Sequence, residues 1–367
     1  MRKLLIAIGV ILAVLIATNI QSSAQTIKGC YSKLTGNLRI VSDASKCFLK
    51  LEIPISWNQT GQQGQQGPQG PQGPPGLGFN PLQVALLRWY EANQTGSSFS
   101  VGSGSAPNAI AFDGASMWVV NVGHSTVTKW RASDGAYLDT FATGHHPYEI
   151  AFDGANIWVT SLDSNAITKL RASDGANLGT FPTGSMPWRI AFDGANMWVT
   201  NGNVIKLQAS DGANLGTFAT GTGNPSLGIA FDGANIWVVS SGGVDKLRAS
   251  DGANLGTFAL DYGSSEIAFD GANIWVTNTV SNTVTKLRAS DGANLGTFPA
   301  GSFPWRIAFD GANMWIVNVN NDTVTKLRAS DGANLGTFAT GYYPCAIAFD
   351  GANIWVTNQG NDSVSKF

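Results

Sequence analysis

Histidine, cysteine and charge are all scarce in this sequence. It contains three histidines and three cysteines in 367 residues, and charged residues make up 13% of the chain with a net charge of −2. It has no basic patch or charged run, so we expect no nucleic-acid partner. No serine or cysteine has the spacing of a nucleophile with its base, so hydrolase chemistry has no support. The 44 glycines are typical of turn-rich β structure.

What the sequence does contain is a repeat. The hexapeptide Ile-Ala-Phe-Asp-Gly-Ala begins at seven places, 38 to 40 residues apart: Ile110, Ile150, Ile190, Ile229, Ile267, Ile307 and Ile347. Each unit holds four short β-rich runs between turn residues, without a helical period. Because a period near forty residues is typical of propellers, the sequence predicts an all-β fold. We expect a seven-bladed β-propeller of four-stranded blades over residues 81–367.

The ends of the repeat region predict how the ring closes. The seventh unit stops at Phe367, inside its third strand, and a degenerate copy of the missing piece lies within residues 81–103. A strand from residues 81–103 would therefore complete the last blade. Such closure removes the exposed sheet edges of an open array.

The N-terminal residues have the features of an export signal. In residues 1–24, Arg2 and Lys3 precede an apolar run, and Ser22-Ser23-Ala24 forms a cleavage site. An uncleaved anchor is the alternative, although Leu4 to Ile20 is at the short limit for a membrane span. We expect a secreted or cell-surface protein with no membrane contact beyond this segment.

Two small segments separate the signal from the repeats. Residues 25–58 contain Cys30 and Cys47, for which a disulfide is the usual state in an exported chain. This segment resembles the head that precedes collagen-like stretches in many bacterial exported proteins, which implies export and a bacterial source. Residues 59–80 include five Gly-X-Y triplets, which fit either a stiff single-chain spacer or the stalk of a homotrimer.

Two features recur in every unit and are predicted to be structural. One tryptophan per unit is interpreted as packing between blades rather than as a ligand cage. Asp-Gly pairs such as Asp153-Gly154 are predicted to form type I′ turns, in which both residues need positive φ. A calcium site is the alternative, but loops with several oxygen ligands are absent from the sequence.

Sequence variation between units is confined to the links between blades and the second-to-third loops. Antiparallel connectivity places both at one end of the ring, which we call the variable face, and such loops commonly bind ligands. Trp, Tyr and Arg are enriched at binding hot spots. The predicted binding residues are Tyr148, Trp188, Arg189, Tyr262, Phe303, Trp305, Arg306, Tyr342 and Tyr343. The alternative is that these side chains only cap the central channel.

The unit Ile-Ala-Phe-Asp-Gly-Ala-Asn-Ile-Trp-Val-Thr-Asn, followed by Asn-Thr-Val-Thr-Lys-Leu, resembles YVTN/NHL-like propellers over residues 104–367. The streptogramin B lyase family is a seven-bladed relative that uses His and Glu side chains with a divalent metal. The resemblance implies weak metal candidates in one sector of the variable face: His124, His145, His146 and Glu149. The family's His-x-Glu pairing on later blades is missing, so we expect no metal, no catalytic residue and no cofactor.

These observations favour recognition or display at the cell exterior, with an extracellular glycan, peptide or protein as the ligand. A lyase-like enzyme on the same face is the second hypothesis, and a purely structural surface component is the third. Cys345 is the third cysteine and is predicted to lie near the channel mouth. We expect it to be buried and inert, with a link between two chains or a reactive thiol as alternatives.

Overall fold

The structure is a computed structural model that describes residues 26–32, 38–41, 47, 52–58, 97–220, 228–240, 243–260 and 263–367. The chain divides into two units, Met1–Asn80 and Pro81–Phe367. The expected signal at residues 1–24 and the Gly-X-Y segment at 59–80 lie outside the described residues. Within the described ranges, no helix is long and apolar enough to cross a membrane.

The first unit contains a small antiparallel sheet closed by a disulfide. Its strands are β1 (Thr26–Ser32), β2 (Leu38–Val41) and β3 (Glu52–Asn58), in the order β2-β1-β3. Cys30 on β1 is bonded to Cys47, with a Cα–Cα distance of 5.5 Å. The disulfide expected for an exported chain is therefore present.

The second unit is a ring of seven four-stranded antiparallel sheets, which confirms the predicted seven-bladed propeller. The first three blades contain β5 (Pro107–Phe112), β6 (Ser116–Asn121), β7 (Thr126–Arg131), β8 (Tyr137–Ala142), then β9 (Pro147–Phe152), β10 (Asn156–Ser161), β11 (Ala166–Arg171), β12 (Asn177–Pro182), then β13 (Arg189–Phe192), β14 (Asn196–Thr200), β15 (Val204–Gln208) and β16 (Asn214–Phe218).

The fourth to sixth blades repeat this order. They contain β17 (Ile229–Phe231), β18 (Asn235–Ser240), β19 (Gly243–Arg248), β20 (Asn254–Phe258), then β21 (Ser264–Phe269), β22 (Asn273–Asn278), β23 (Thr283–Arg288), β24 (Asn294–Pro299), then β25 (Pro304–Phe309), β26 (Asn313–Asn318), β27 (Thr323–Arg328) and β28 (Asn334–Ala339). Among the described residues, three 3-10 turns lie between second and third strands, at Val122–His124, Val319–Asn321 and Gln359–Asn361.

The seventh blade is completed from the other end of the ring. It consists of β29 (Pro344–Phe349), β30 (Ile354–Asn358), β31 (Ser363–Lys366) and β4 (Ser97–Ser100), and β4 pairs antiparallel with β31. Asp362 adds to this closure, since its carboxylate accepts the backbone N–H groups of Gly104 and Ala106, both at 2.8 Å. The predicted closure by an N-terminal strand is confirmed.

The core lies between successive blades. Because side chains alternate along a strand, each second strand sends its tryptophan to one side and its aliphatic residues to the other. Trp158 thus packs with Ile190 and Val199 of the next blade. All seven repeat tryptophans are buried: Trp118, Trp158, Trp198, Trp237, Trp275, Trp315 and Trp355. Loss of one such ring typically costs about 3–5 kcal/mol.

Each tryptophan also belongs to a polar link between neighbouring blades. The indole N–H of Trp158 donates to Asp153 Oδ2 at 2.7 Å, and Lys169 Nζ lies 4.8 Å from the ring centroid. The same ammonium donates to the Ala209 carbonyl of the next blade at 2.6 Å. The equivalent contact from Lys366 to the Ala132 carbonyl joins the seventh blade to the first.

The Asp-Gly turns differ from the predicted type I′ geometry. Only Gly154 has positive φ, at 96°, whereas Asp153 does not. The aspartate instead closes the turn with its side chain, because Oδ1 accepts the N–H groups of Ala155 at 2.9 Å and Asn156 at 2.6 Å. Asp is required here for its carboxylate rather than for tolerance of a left-handed backbone.

Candidate functional site

One position at the start of each blade is charged in four of the seven blades. It immediately precedes the isoleucine of the Ile-Ala-Phe repeat. Around the ring it is occupied by Ala109, Glu149, Arg189, Gly228, Glu266, Arg306 and Ala346. The four charged members come from the second, third, fifth and sixth blades, and they carry two positive and two negative charges.

These four side chains meet, and we call them the central charge cluster. Arg306 Nη1 donates to Glu149 Oε2 at 2.5 Å and to Glu266 Oε2 at 2.6 Å. Arg189 Nε donates to Glu266 Oε2 at 3.0 Å and lies 3.5 Å from Glu149 Oε2. Residues 157 positions apart in sequence are therefore in contact, which places the cluster where the blades converge.

The cluster is buried, and its electrostatics keep the Arg306 guanidinium ionised. The exposed fractions of the side chains are 2% for Arg189, 8% for Arg306, 8% for Glu266 and 11% for Glu149. Burial alone would lower the pKa of Arg306, but the negative charges of Glu149 and Glu266 raise it above its ordinary value. The guanidinium of Arg306 thus stays charged at any pH at which the fold persists.

A β-bulge lies next to Glu149, Glu266 and Arg306 in the second, fifth and sixth blades. In the second blade the pairing register shifts between Val159 and Ser161, and the N–H of Glu149 donates to the Thr160 hydroxyl at 2.9 Å. Glu266 makes the same contact with Thr277 at 3.0 Å. Bulges commonly re-aim side chains next to functional sites. Here the threonine satisfies the backbone donor that the bulge removes from the sheet ladder.

Aromatic residues lie directly beside the cluster, and we call them the aromatic rim: Tyr148, Trp188, Phe303 and Trp305. The Arg189 guanidinium lies 5.2 Å from the Tyr148 ring and 5.9 Å from the Trp305 ring. Tyr148 meets Trp188 edge-on at 5.0 Å, and Phe303 stacks on Trp305 at 5.7 Å. The two Pro-Trp-Arg sequences, three blades apart in the chain, are thus brought together at the channel.

Further out on the same face, bulky side chains stand on left-handed backbone. Met186, Phe303 and Tyr343 have φ of 50°, 56° and 54°, which non-glycine residues adopt at a cost of about 1–3 kcal/mol. A side chain of the preceding blade holds each in place. For example, the N–H of Phe303 donates to Asn282 Oδ1 at 2.8 Å and that of Tyr343 to Asp322 Oδ1 at 2.8 Å. These residues therefore present exposed surface on a fixed backbone.

The predicted binding residues differ in how exposed they are. Tyr342 and Tyr343 are exposed, at 63% and 46%, whereas Arg189 and Arg306 are buried in the central charge cluster. Tyr262 lies outside the described residues. Sequence reasoning grouped all of these residues on one surface; it did not separate the buried arginines from the exposed aromatics.

The weak metal candidates are not brought together. His124 Nδ1 lies 3.4 Å from the Ser105 hydroxyl, and His146 Nδ1 lies 3.4 Å from Asp163 Oδ2. Glu149 is engaged with the arginines of the cluster, and the backbone N–H of His145 donates to Ser164. Among the described residues, no group of three or more His, Cys, Asp or Glu side chains is placed to hold a metal ion.

Cys345 is buried near the cluster, with 5% exposure. Its Sγ lies 3.5 Å from the Tyr343 carbonyl. Burial raises the pKa of the thiol to about 11, against a smaller opposing effect of the Arg306 charge. The thiol is therefore neutral at physiological pH and lacks the thiolate character of a reactive cysteine.

Comparison with known proteins supports the architecture. The sequence matches no family model and no curated protein. The structure is similar to hydrazine synthase of Kuenenia stuttgartiensis, with a TM-score of 0.64 and 17% identity over 72% of this chain and 96% of that chain. It is similar to virginiamycin B lyase of Staphylococcus aureus, with a TM-score of 0.64 and 16% identity over 74% and 97%.

A further streptogramin B lyase structure has a TM-score of 0.61 and 16% identity over 74% of this chain and 96% of that chain. The resemblance to lyase-type propellers noted in the sequence thus extends to the three-dimensional structure. At these identities the likeness shows a common fold alone, because one fold hosts many functions.

Proposed function

We propose that this chain is an exported recognition protein that binds its ligand on the variable face of the propeller. The observation that carries the proposal is the convergence of the aromatic rim on the central charge cluster. Aromatic and arginine side chains held on a rigid scaffold have the composition of a binding hot spot. The proposal includes a secreted or cell-surface location and an extracellular glycan, peptide or protein as ligand.

A binding screen tests this proposal. The protein without residues 1–24 is screened against glycans, peptides and cell-wall fragments beside the double variant Trp188→Ala/Trp305→Ala. The arginines are left intact, since their removal would strand the buried glutamates and unfold the site. Leu178→Ala/Leu335→Ala is the matched control, because these leucines are 40% exposed on the outer strands β12 and β28.

Binding that is lost in the tryptophan variant and kept in the leucine variant is the expected result. Binding that survives in both would move recognition off the variable face. No binding by the folded wild-type protein would favour the structural reading, in which the propeller is displayed without a specific ligand.

A lyase-like activity is the second candidate, because two of the similar structures are lyases by name. Calorimetric titration with Zn²⁺ and Mg²⁺ tests its metal requirement. Binding of either ion that is lost in His146→Ala would support the enzyme hypothesis. If neither ion binds, the hypothesis of a metal-dependent lyase is rejected.

The Gly-X-Y segment enters the proposal as a spacer or as a trimer stalk. Light scattering on the intact chain distinguishes the two, since a mass three times that of the monomer requires the stalk or the head to assemble. A monomeric mass would assign the segment to a single-chain spacer.

A further inference from the structure

Part of the Arg306 guanidinium has no hydrogen-bond partner within the central charge cluster. Its Nη1 takes both glutamates, but its Nε and Nη2 have no hydrogen-bond partner among the described residues. The N–H of Nε and one N–H of Nη2 point in parallel from the same edge of the guanidinium plane. That edge is the planar two-donor fork with which arginine binds the two oxygens of a carboxylate.

The carboxylate oxygens of the cluster are already hydrogen-bonded elsewhere and do not pair with Nε and Nη2 of Arg306. Glu149 Oε1 accepts the N–H of Ile150, and Glu266 Oε1 accepts the N–H of Ile267, both at 3.2 Å. The Oε2 atoms are shared between the two arginines. Arg189 Nη2 is a further donor without a partner in the described chain. Charged donors that are buried and unpaired are costly, so the cluster lacks acceptors and not donors.

The surroundings of the fork suit a small ligand. At the position before Ile-Ala-Phe, the two blades between those of Arg306 and Glu149 carry Ala346 and Ala109, so this position adds nothing longer than a methyl group between them. Trp305 stacks on Phe303 and lies 5.9 Å from the guanidinium of Arg189, which shares Glu266 Oε2 with Arg306. An apolar surface therefore lies beside the cluster that holds these unpaired charged donors.

We infer that the free edge of Arg306, assisted by Arg189, binds the carboxylate of a small organic acid whose remaining part rests on the aromatic rim. This inference rests on the proposed function and names the chemical class of its ligand. The acid group can belong to an aromatic acid or to a uronic acid, and the test separates these two sources.

Calorimetry on the full chain uses two matched pairs of probes. One pair is 3-phenylpropanoate and 3-phenylpropanamide, and the other is glucuronate and glucose. Each pair differs chiefly in the charged carboxylate. We expect one acid to bind and its neutral partner to bind at least roughly tenfold more weakly, which corresponds to about 1.4 kcal/mol.

Arg306→Lys tests the fork itself, because lysine keeps the charge towards Glu149 and Glu266 but lacks the planar pair of donors. We expect at least roughly tenfold weaker binding of the acid, with circular dichroism unchanged. Leu335→Ala, which alters an exposed leucine of the outer strand β28, is expected to bind the acid as the wild type does. If Arg306→Lys does not fold, Trp305→Ala with the same acid replaces it.

Several results would overturn the inference. Equal binding of an acid and its neutral partner would remove the carboxylate requirement, and unchanged binding by folded Arg306→Lys would place the acid elsewhere. If neither acid binds but the screen finds a ligand that requires Trp188 and Trp305, the inference falls and the proposed function stands. If neither acid binds and the screen is blank, both fall.

Discussion

At the scale of single residues, the repeated aspartate shows how one side chain can determine both a turn and a core contact. Asp193 Oδ1 accepts the N–H groups of Ala195 and Asn196, and Oδ2 accepts the indole N–H of Trp198 at 2.7 Å. Burial alone would raise the pKa of Asp193, but the hydrogen bonds from Trp198 and Asn196 outweigh it and hold the pKa below its ordinary 3.8. The ionised carboxylate therefore stabilises the fold.

Asp193→Asn should lower the free energy of unfolding by about 1–3 kcal/mol at pH 7, because an amide cannot accept from the backbone and the indole as a carboxylate does. A group with a depressed folded pKa stabilises above its unfolded pKa and loses that effect as pH falls through the folded pKa. The difference from wild type should thus shrink below about pH 4. Urea unfolding between pH 7 and pH 3 measures it.

Asp163→Asn is the control for this change, since Asp163 is 68% exposed and contacts only the exposed His146 among the ion pairs described. Its effect should stay within about 0.5 kcal/mol. A difference for Asp193→Asn that does not depend on pH would contradict the linkage argument.

Glu266→Gln tests the central charge cluster. Glu266 Oε2 accepts from both Arg189 and Arg306, and removal of one partner from a buried ion pair typically costs about 3–5 kcal/mol. The free energy of unfolding in urea should fall by that amount. Asp251→Asn breaks the exposed pair with Arg248 and should leave the unfolding midpoint nearly unchanged. Equal effects of the two changes would mean that the cluster is open to solvent.

The candidate site was only partly predictable from these residues. The variable face and its aromatic side chains were predicted from comparison of the units, and the structure shows Trp188 against Tyr148 and Trp305 near Arg189. The pairing of Arg189 and Arg306 with Glu149 and Glu266 was missed. The sequence does contain a signal, since the position before Ile-Ala-Phe carries balanced charges, but contact between blades that are far apart in the chain is a tertiary feature.

At the scale of strands and turns, the two Asp-Gly turns of a blade look alike in sequence and differ in packing. Gly154, between β9 and β10, has φ of 96° and no atom near the place of a Cβ. Gly175, between β11 and β12, has φ of 73°, and a Cβ there would overlap the Phe141 ring of the preceding blade. The second turn is therefore part of the interface between blades.

Gly154→Ala and Gly175→Ala form a matched pair that tests this difference. Both place a side chain on left-handed backbone, at a cost of about 1–2 kcal/mol. Only Gly175→Ala also displaces the Phe141 ring, which adds about 1–3 kcal/mol of overpacking. Urea unfolding should rank Gly175→Ala as the less stable variant. Equal unfolding midpoints would show that the interface between the two blades accommodates the added methyl group without loss of stability.

Much of the fold was predictable at this scale, for a physical reason. The strands, the turns and the buried tryptophans follow local sequence patterns that recur seven times. A wrong structural assignment in one unit is therefore corrected by comparison with the other six. The link from Lys169 to the Ala209 carbonyl was not predictable, because it depends on the spacing between blades. The type I′ prediction was wrong for Asp153-Gly154 because the carboxylate, and not the left-handed backbone, closes the turn.

At the scale of the whole molecule, a few residues join the ends of the ring. Phe99 on β4 stacks on Trp355 at 5.6 Å and lies 6.3 Å from Trp130 of the first blade. β4 pairs with β31 through residues Ser97 to Ser100. The seventh blade therefore depends on a segment that is more than 250 residues away in the sequence, since Ser100 pairs with Ser363.

Deletion of residues 97–103 should destabilise the ring as a unit. Loss of the Phe99 ring alone typically costs about 3–5 kcal/mol, and the edge of β31 is exposed as well. For a domain of this size each kcal/mol shifts Tm by about 2–4 °C, so differential scanning calorimetry should show a fall of about 10 °C or more.

A rescue variant separates ring closure from other effects of the deletion. The sequence Arg-Ala-Ser-Asp-Gly-Ala-Asn-Leu-Gly-Thr-Phe, which supplies the third turn and fourth strand in other units, is added after Phe367 in the deleted protein. The added strand can pair with β31 and place its phenylalanine against Trp355, as the equivalent Phe181 packs on Trp158 at 5.4 Å. Most of the lost Tm should return. A deletion without effect, or a rescue that restores nothing, would mean that the blades hold together through their shared cores and not through the closing strand.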